Sequence, residues 1–220
     1  MNARRKAARA QILRAAADLF RERGYQASTV DHIAARLGMS KASLYTHFRA
    51  KEEMLAAISR ETIEAFTRDL NLVLASRLGA EDKLRTVVRQ HVQFVIANRS
   101  FLTVFFGEEA NLPPRFVRSL AAQKDRYDKG VERIVGEGIR SGVFREMSPR
   151  LVVFALLGMV NWVHKWYNPR GGWEAEEISA AFLALIEGGL LHRQPRGRAL
   201  SSRLRRLERE LHDVARALDA

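Results

Sequence analysis

The chain of 220 residues contains no cysteine, which excludes disulfides, thiolate nucleophiles and Cys-ligated zinc and fits a reducing compartment. Long apolar runs are also missing. The most apolar stretch, LVVFALLGMV at 151–160, meets Asn161, His164 and Lys165 well before the roughly 20 apolar residues that a membrane-spanning helix needs. The basic start MNARRKAARAQIL leads into no apolar region, so it does not read as a signal peptide. Period-two alternation, the mark of a half-buried strand, is nearly absent. Acid is the scarcer charge. Lys and Arg number 37 against 25 Asp and Glu, a formal net charge of +12. Ten of those bases fall in residues 1–50, where only Asp18, Glu22 and Asp31 oppose them. Anionic partners follow, with nucleic acid first among them.

Catalytic constellations are lacking as well. The six histidines form neither an HExxH pair nor a cluster with carboxylates, so no metal site is expected. GEGIRSG at 136–142 is rich in glycine but ends a helical pattern with no strand before it, so it reads as a helix stop and not a phosphate loop. The expectation is a soluble cytoplasmic protein without membrane association, not an enzyme, and with no cofactor.

What the chain has in quantity is helix signal. Apolar positions Ile12, Leu13, Ala16, Leu19 and Phe20 recur at helical spacing between about Ala3 and Arg23, and Gly24 ends them. Ser28 and Thr29 offer caps for a short helix that Gly38 closes, and Ser40 caps another that carries Leu44, Tyr45 and Phe48. A long helix is expected from Lys51 to about Leu78. Others are expected at 81–98, 100–109, Pro114 to about Ser141, 149–167 and 174–191. Beyond an arginine-rich stretch from 193 to 206, the positions Leu200, Leu204, Leu207, Leu211, Val214 and Leu218 form an a/d seam, an extra C-terminal helix that either docks on the body or pairs with itself. The fold class is all-α: a three-helix N-terminal domain, a larger helical bundle, and the extra helix. The boundaries are expected at 1–50, 51–195 and 196–220.

Two short helices joined by LGMS form a helix-turn-helix pattern. Gly38 permits the turn, Met39 plugs the gap between the helices, and Ser40 caps the second. Lys41, Ala42, Ser43 and Thr46 then face outward. Such small and polar residues let a helix enter the major groove and reach base edges. Arg4, Arg5, Lys6 and Arg9 make a basic arm, either a solvated face or a contact to backbone or minor groove.

From Ile12 to Leu55, roughly a fifth of the chain, the sequence resembles the DNA-binding domain of the TetR/AcrR family of transcriptional regulators. The resemblance lies in Gly24-Tyr25, Thr29-Val30, Ile33-Ala34, Gly38-Met39-Ser40-Lys41, Leu44-Tyr45, His47-Phe48 and Lys51-Glu52. It implies that Thr29 bonds a phosphate, that Ser40, Lys41 and Ser43 lie against the groove, and that Tyr45, His47 and Lys51 grip backbone phosphates. Ala42 stands where glycine is frequent and Thr46 where an aromatic or basic residue is frequent, so base preference does not carry over.

The remaining chain concentrates aromatic residues at Phe94, Phe101, Phe105 and Phe106, at Tyr127, and at Trp162 and Trp166. Each is a candidate core residue. As a set they are candidates to line a small apolar ligand's pocket between helices, with His91 and Asn98 as polar residues within reach of that wall or exposed. FFGEEANLPPRF at 105–116 and NWVHKWYNPRGGWEAEEI at 161–178 resemble those TetR-like regulators that control fatty-acid, steroid or aromatic-acid degradation and respond to acyl-coenzyme A thioesters. That resemblance implies an acyl-CoA effector, with Arg99, Arg115, Lys124 or Lys165 available to its phosphates.

The helices at 149–167 and 174–191 are apolar around much of their circumference, and their small residues permit close approach. Leu151, Phe154, Gly158, Phe182, Leu185 and Gly189 are therefore candidates for a homodimer interface, which the resemblance places on these two helices. A twofold dimer reads a near-palindromic duplex. The expected function is a ligand-responsive, sequence-specific repressor released from its operator by a small apolar effector. The alternative is an architectural DNA-binding protein with no ligand.

Overall fold

The computed structural model describes residues 3–191. Among the described residues the regular structure is helical, apart from one isolated antiparallel bridge between Phe144 and Leu191. The extra helix expected at 200–218 lies outside the described residues.

Three helices build a small head: α1 (Ala3–Arg23), α2 (Val30–Leu37) and α3 (Lys41–Tyr45). Each is short or half polar, so none buries enough surface alone; they are stable only as a shared core. Ile12, Leu13, Ala16 and Phe20 of α1 are buried with Ile33 of α2 and Leu44 of α3. The α2–α3 turn depends on Gly38, whose φ of 62° lies in the left-handed region where a β-carbon is unfavourable. The Gly38 N–H bonds the Ala35 carbonyl at 3.2 Å and the Met39 N–H bonds the Ala34 carbonyl at 3.0 Å, a Schellman closure of α2. Ser40 then caps α3 by accepting from the Ser43 N–H at 3.1 Å. The expected turn chemistry of LGMS is all present.

Helix α4 (Lys51–Ala75) leaves the head and enters the body, where α5 (Ala80–Ala97), α6 (Arg99–Gly107) and α7 (Pro114–Arg140) pack on it; α8 (Pro149–Asn161) packs on α7 and α5, α9 (Val163–Trp166) on α5 and α6, and α10 (Ala175–Leu190) on α5. Pro114 and Pro149 occupy first helical turns, where a missing N–H costs nothing. Glu174 and Glu177 form a reciprocal capping box at the start of α10. Polar links tie the layers: Arg85 reaches Glu187 of α10 at 2.6 Å, and the nearly buried Lys83 reaches Glu137 of α7 at 3.0 Å.

Two expected helices end differently. The one from Lys51 stops at Ala75, because Ser76 turns extended (ψ 160°) and its hydroxyl donates to the Val73 carbonyl at 2.7 Å. The helix expected over 149–167 breaks at Trp162. His164 Nδ1 donates to the Asn161 carbonyl at 2.5 Å, and the Lys165 N–H bonds Trp162 at 3.0 Å in place of Asn161. A side chain has taken the acceptor that a continuous helix would use, and the turn tightens.

The end of α7 meets the following turn with no spare room. A β-carbon on Gly138 would run into the Phe144 ring, which is fully buried. The Gly138→Ala variant is expected to lose about 1–3 kcal/mol through overpacking. A lower urea midpoint with unchanged slope measures this.

Candidate nucleic-acid interface and internal cavity

The outer edge of the head gathers the polar residues expected to face DNA. Lys41, Ala42, Tyr45 and Thr46 are exposed on or just after α3, Ser43 and His47 are partly buried, and Thr29 and Ser40 are exposed at helix starts. Thr29 caps α2 by accepting from the His32 N–H at 3.2 Å, which leaves its hydroxyl proton free to donate to a phosphate. Leu44 and Phe48 point the other way and are buried. The basic arm is helical and lies beside α3: Arg5 donates to the Thr46 carbonyl at 3.2 Å, and Arg9 sits 4.2 Å over the Phe48 ring. Lys41 pairs with Asp31 at 2.8 Å; that carboxylate raises its pKa, and both side chains are exposed. A nucleic-acid phosphate would replace Asp31 at little cost.

Lys51 corrects an expectation. Its ammonium donates to the carbonyls of Tyr25, Gln26 and Ser28 at 3.0, 3.3 and 3.2 Å and lies 4.4 Å over the Tyr25 ring. Three donors meet three acceptors, so nothing remains for a backbone phosphate. Lys51 is a clamp that holds the start of α4 to the α1–α2 turn.

Within the body, α4, α5, α6, α7 and α8 surround a cavity of about 270 Å³. Phe66, Phe105, Phe106 and Leu157 supply apolar wall, while His91, Tyr127 and Asn161 make a polar corner and Lys124 and Asp128 add charge. His91 is buried between two partners: its Nδ1 is 2.9 Å from the Tyr127 hydroxyl and its Nε2 is 2.7 Å from Asn161 Oδ1. The carboxamide oxygen only accepts, so Nε2 carries the proton and Nδ1 accepts from Tyr127. Burial pushes the imidazole down to about 4 and keeps it neutral at pH 7. Burial likewise raises the Tyr127 phenol and the Asp128 carboxyl. The Asn161 amide nitrogen has no hydrogen-bond partner among the described residues and is a donor available to a ligand.

The aromatic set expected to form a pocket divides. Phe105, Phe106 and Tyr127 line the cavity, and Phe94 stands behind Phe66 with ring centroids 4.5 Å apart. Phe101 lines a different cleft, between the head and the body. Trp162 and Trp166 lie outside the cavity, 60% and 40% exposed, because the break after Asn161 turns them outward. Of the two polar residues expected beside that wall, His91 lines the cavity and Asn98 lines the cleft instead; Asn161 and Phe66 are absent from the expected set. The sequence signal for His91 is a polar residue on the apolar face of α5; Asn161 and Phe66 look like ordinary helix positions.

The cavity connects to the head through a short series of contacts. Phe106 stacks on His164 with centroids 5.2 Å apart, and His164 also bonds the backbone of Asn161. The His164 carbonyl accepts from Arg99 Nε at 3.1 Å. The next residue, Ser100, donates to Asp18 of α1 at 2.5 Å and accepts from Arg21 Nε at 2.9 Å.

A second feature is an apolar groove of about 450 Å³ between α8 and α10, lined in part by Leu151, Met159, Leu185 and Gly189. Leu151 and Leu185 are 67% and 68% exposed, and Phe154 is also exposed. Phe182 is half-buried against the core, and Phe154 and Gly158 face the cavity. Among the described residues no helix is long and apolar enough to cross a membrane, and no group of three or more His, Cys, Asp or Glu is placed to hold a metal ion.

Residues 12–58 match the family described as bacterial regulatory proteins, tetR family, and residues 77–190 match the family described as the tetracyclin repressor-like C-terminal domain. The chain is 27% identical over 189 residues to the HTH-type transcriptional repressor KstR2 of Mycolicibacterium smegmatis, covering 84% of this chain and 92% of the relative. The fold is similar to the TetR family transcriptional regulator PfmR of Thermus thermophilus, with a TM-score of 0.76, 34% identity, and 81% and 97% of the two chains covered. It is also similar to AibR solved with isovaleryl coenzyme A and operator DNA, with a TM-score of 0.72, 28% identity, and 80% and 96% covered.

The neutral, buried His91 makes stability depend on pH. The unfolded chain binds a proton near 6.5 and the folded chain only near 4, so stability falls as pH drops between those values. His164, also lowered by burial, adds to the same trend. Thermal melts are expected to show a lower midpoint at pH 5 than at pH 7, with a smaller difference in the His91→Gln variant.

Proposed function

The chain belongs to the TetR family of transcriptional regulators, and from that premise we propose an effector-responsive repressor that reads a near-palindromic operator as a homodimer. Its relatives regulate transcription, and the protein is a DNA-binding transcriptional regulator, not an enzyme. The observation that carries the effector reading is the cavity, which pairs an aromatic wall with a neutral, buried polar corner. A preformed space of that character suits an uncharged ligand segment bearing one hydrogen-bond acceptor.

The effector class we favour is an acyl-coenzyme A thioester. The two sequence stretches that resemble acyl-CoA-responsive regulators contribute Phe105, Phe106 and Asn161 to the cavity, and the relative AibR was solved with such a thioester and DNA together. At about 270 Å³ the cavity lies just below the roughly 300 Å³ at which ligand pockets commonly begin. It therefore encloses the acyl end and leaves the nucleotide end outside. In this reading the Asn161 amide nitrogen donates to the thioester carbonyl while the phenylalanines hold the chain.

Occupancy reaches the head through Phe106, His164, Arg99 and Ser100. A ligand that displaces Phe106 or rotates Asn161 shifts the backbone that Arg99 holds, and with it the Ser100 bond to α1. Only the difference in ligand affinity between the two head positions changes operator affinity. For the dimer, the exposed apolar surface of α8 and α10 is the supporting feature, since a monomer would leave Leu151 and Leu185 in water.

The test uses an operator selected from random duplexes and purified protein. Isovaleryl coenzyme A is expected to raise the melting temperature saturably and to release the operator, while coenzyme A alone does neither. Ile63→Phe, which intrudes on the cavity, is expected to weaken the thioester about tenfold or more and to leave operator binding intact. Thioesters that neither stabilise the protein nor change operator affinity would refute the class. Retention of operator against excess random DNA checks sequence specificity.

The two lysines of the head should behave differently. Lys41→Gln is expected to reduce the salt slope of DNA binding by about one, as loss of one phosphate contact does. Lys51→Gln is expected to leave that slope unchanged and to lower the melting temperature.

A further inference from the structure

We propose that the cleft between head and body is a binding site for a phosphate-bearing anion, separate from the effector cavity. The cleft has a volume of about 410 Å³ and lies where the second half of α1 faces the α5–α6 junction. Arg14, Asp18 and Arg21 follow one another at four and three residues, so they share one face of α1 and spread over about 10.5 Å of its axis. Arg99 and Asn98 face them from the body.

The charge of this lining is not balanced from within. Three guanidinium groups surround one carboxylate, and Asp18 already accepts from Ser100 at 2.5 Å. Among the described residues Arg14 has no hydrogen-bond or ion-pair partner. Arg99 donates to the His164 carbonyl through Nε alone, which points its fork of terminal nitrogens elsewhere with no partner among the described residues. Arg21 bonds Ser100 through Nε and lies 4.0 Å from Glu22. A phosphate group fits because it has several acceptor oxygens for forked donors arriving from two sides, and because its charge offsets the mutual repulsion of the arginines.

Such an anion would touch α1 and α6 at once, so it would tie the head to the body at their contact. Binding there favours one head position and is a regulatory input besides the effector cavity. The same chemistry has two sources: a free phosphate-bearing metabolite, or the nucleotide end of a thioester whose acyl chain fills the cavity. The site itself rests on the cleft alone and does not require that reading of the cavity.

The test is calorimetric titration with inorganic pyrophosphate at constant ionic strength, on the full chain without DNA. Saturable binding is expected, about tenfold weaker in Arg14→Gln and only partly restored in Arg14→Lys, which keeps the charge and loses the fork. Asp18→Asn is expected to bind several-fold more tightly, an opposite shift that general loss of structure would not produce. Equal melting temperatures of wild type and Arg14→Gln without anion establish that the exposed substitution leaves the fold intact. Absence of saturable binding, or equal affinities across the three variants, overturns the proposal. A lowered salt slope for DNA in Arg14→Gln without pyrophosphate binding also overturns it, since Arg14 would then be a DNA contact. Competition with isovaleryl coenzyme A separates the sources: displacement of pyrophosphate assigns the cleft to the thioester's phosphates, and simultaneous binding assigns it to a free anion. Both results support the site.

Discussion

Helix α4 runs through the one hydrophobic core that head and body share, and that continuity governs how the rest of the molecule is arranged. Its first turns bury Met54, Leu55 and Ile58 alongside α1, and its later turns bury Phe66, Leu70 and Val73 among the body helices. A rigid rod held at both ends lets the head tilt only if the body repacks. The Lys51 clamp makes the head end of that rod firm. Three carbonyls at the α1–α2 turn would otherwise need water, and one ammonium satisfies all of them while fixing the origin of α4.

Helix α6 supplies the second connection between head and body. Helix α4 joins head and body along its length, and α6 packs against α1 while adding polar bonds from Ser100 to Asp18 and Arg21. Polar bonds at a partly wet junction have a modest net value and exchange readily with water or ions. Head and body are thus joined along two helices, α4 and α6. The cavity lies between α4 and α6, in contact with both, and the basic cleft lies where α1 meets α6.

The fold was largely legible in the sequence because its cues are local. Gly38, Ser40, Pro114 and Pro149 act within a turn or two of themselves, and the helical spacing of apolar residues declares each buried face. The departures arise where a side chain competes with backbone bonding. Ser76 and His164 each take a carbonyl of a preceding turn, a choice that depends on rotamer and surroundings more than on pattern. The candidate site was legible in proportion to how local it was. Residues on α3 share one short helix, so spacing alone assigns their faces. The cavity draws on five helices, and spacing within one helix says nothing about which residues of another come opposite. Composition therefore groups Trp162 and Trp166, which lie outside the cavity, with residues that line it.

The sequence by itself determined the helical class, the helix-turn-helix, its outward-facing polar residues and the excess of positive charge at the N-terminus, since each follows from properties of consecutive residues. Tertiary structure alone decided the rest. It spent Lys51 on carbonyls, buried His91 in neutral form between Tyr127 and Asn161, and brought Arg14 and Arg21 of the first helix to face Arg99. The physical reason is the same in each case. Hydrogen bonds, desolvation and charge repulsion depend on distances through space, and folding sets those distances between residues far apart along the chain.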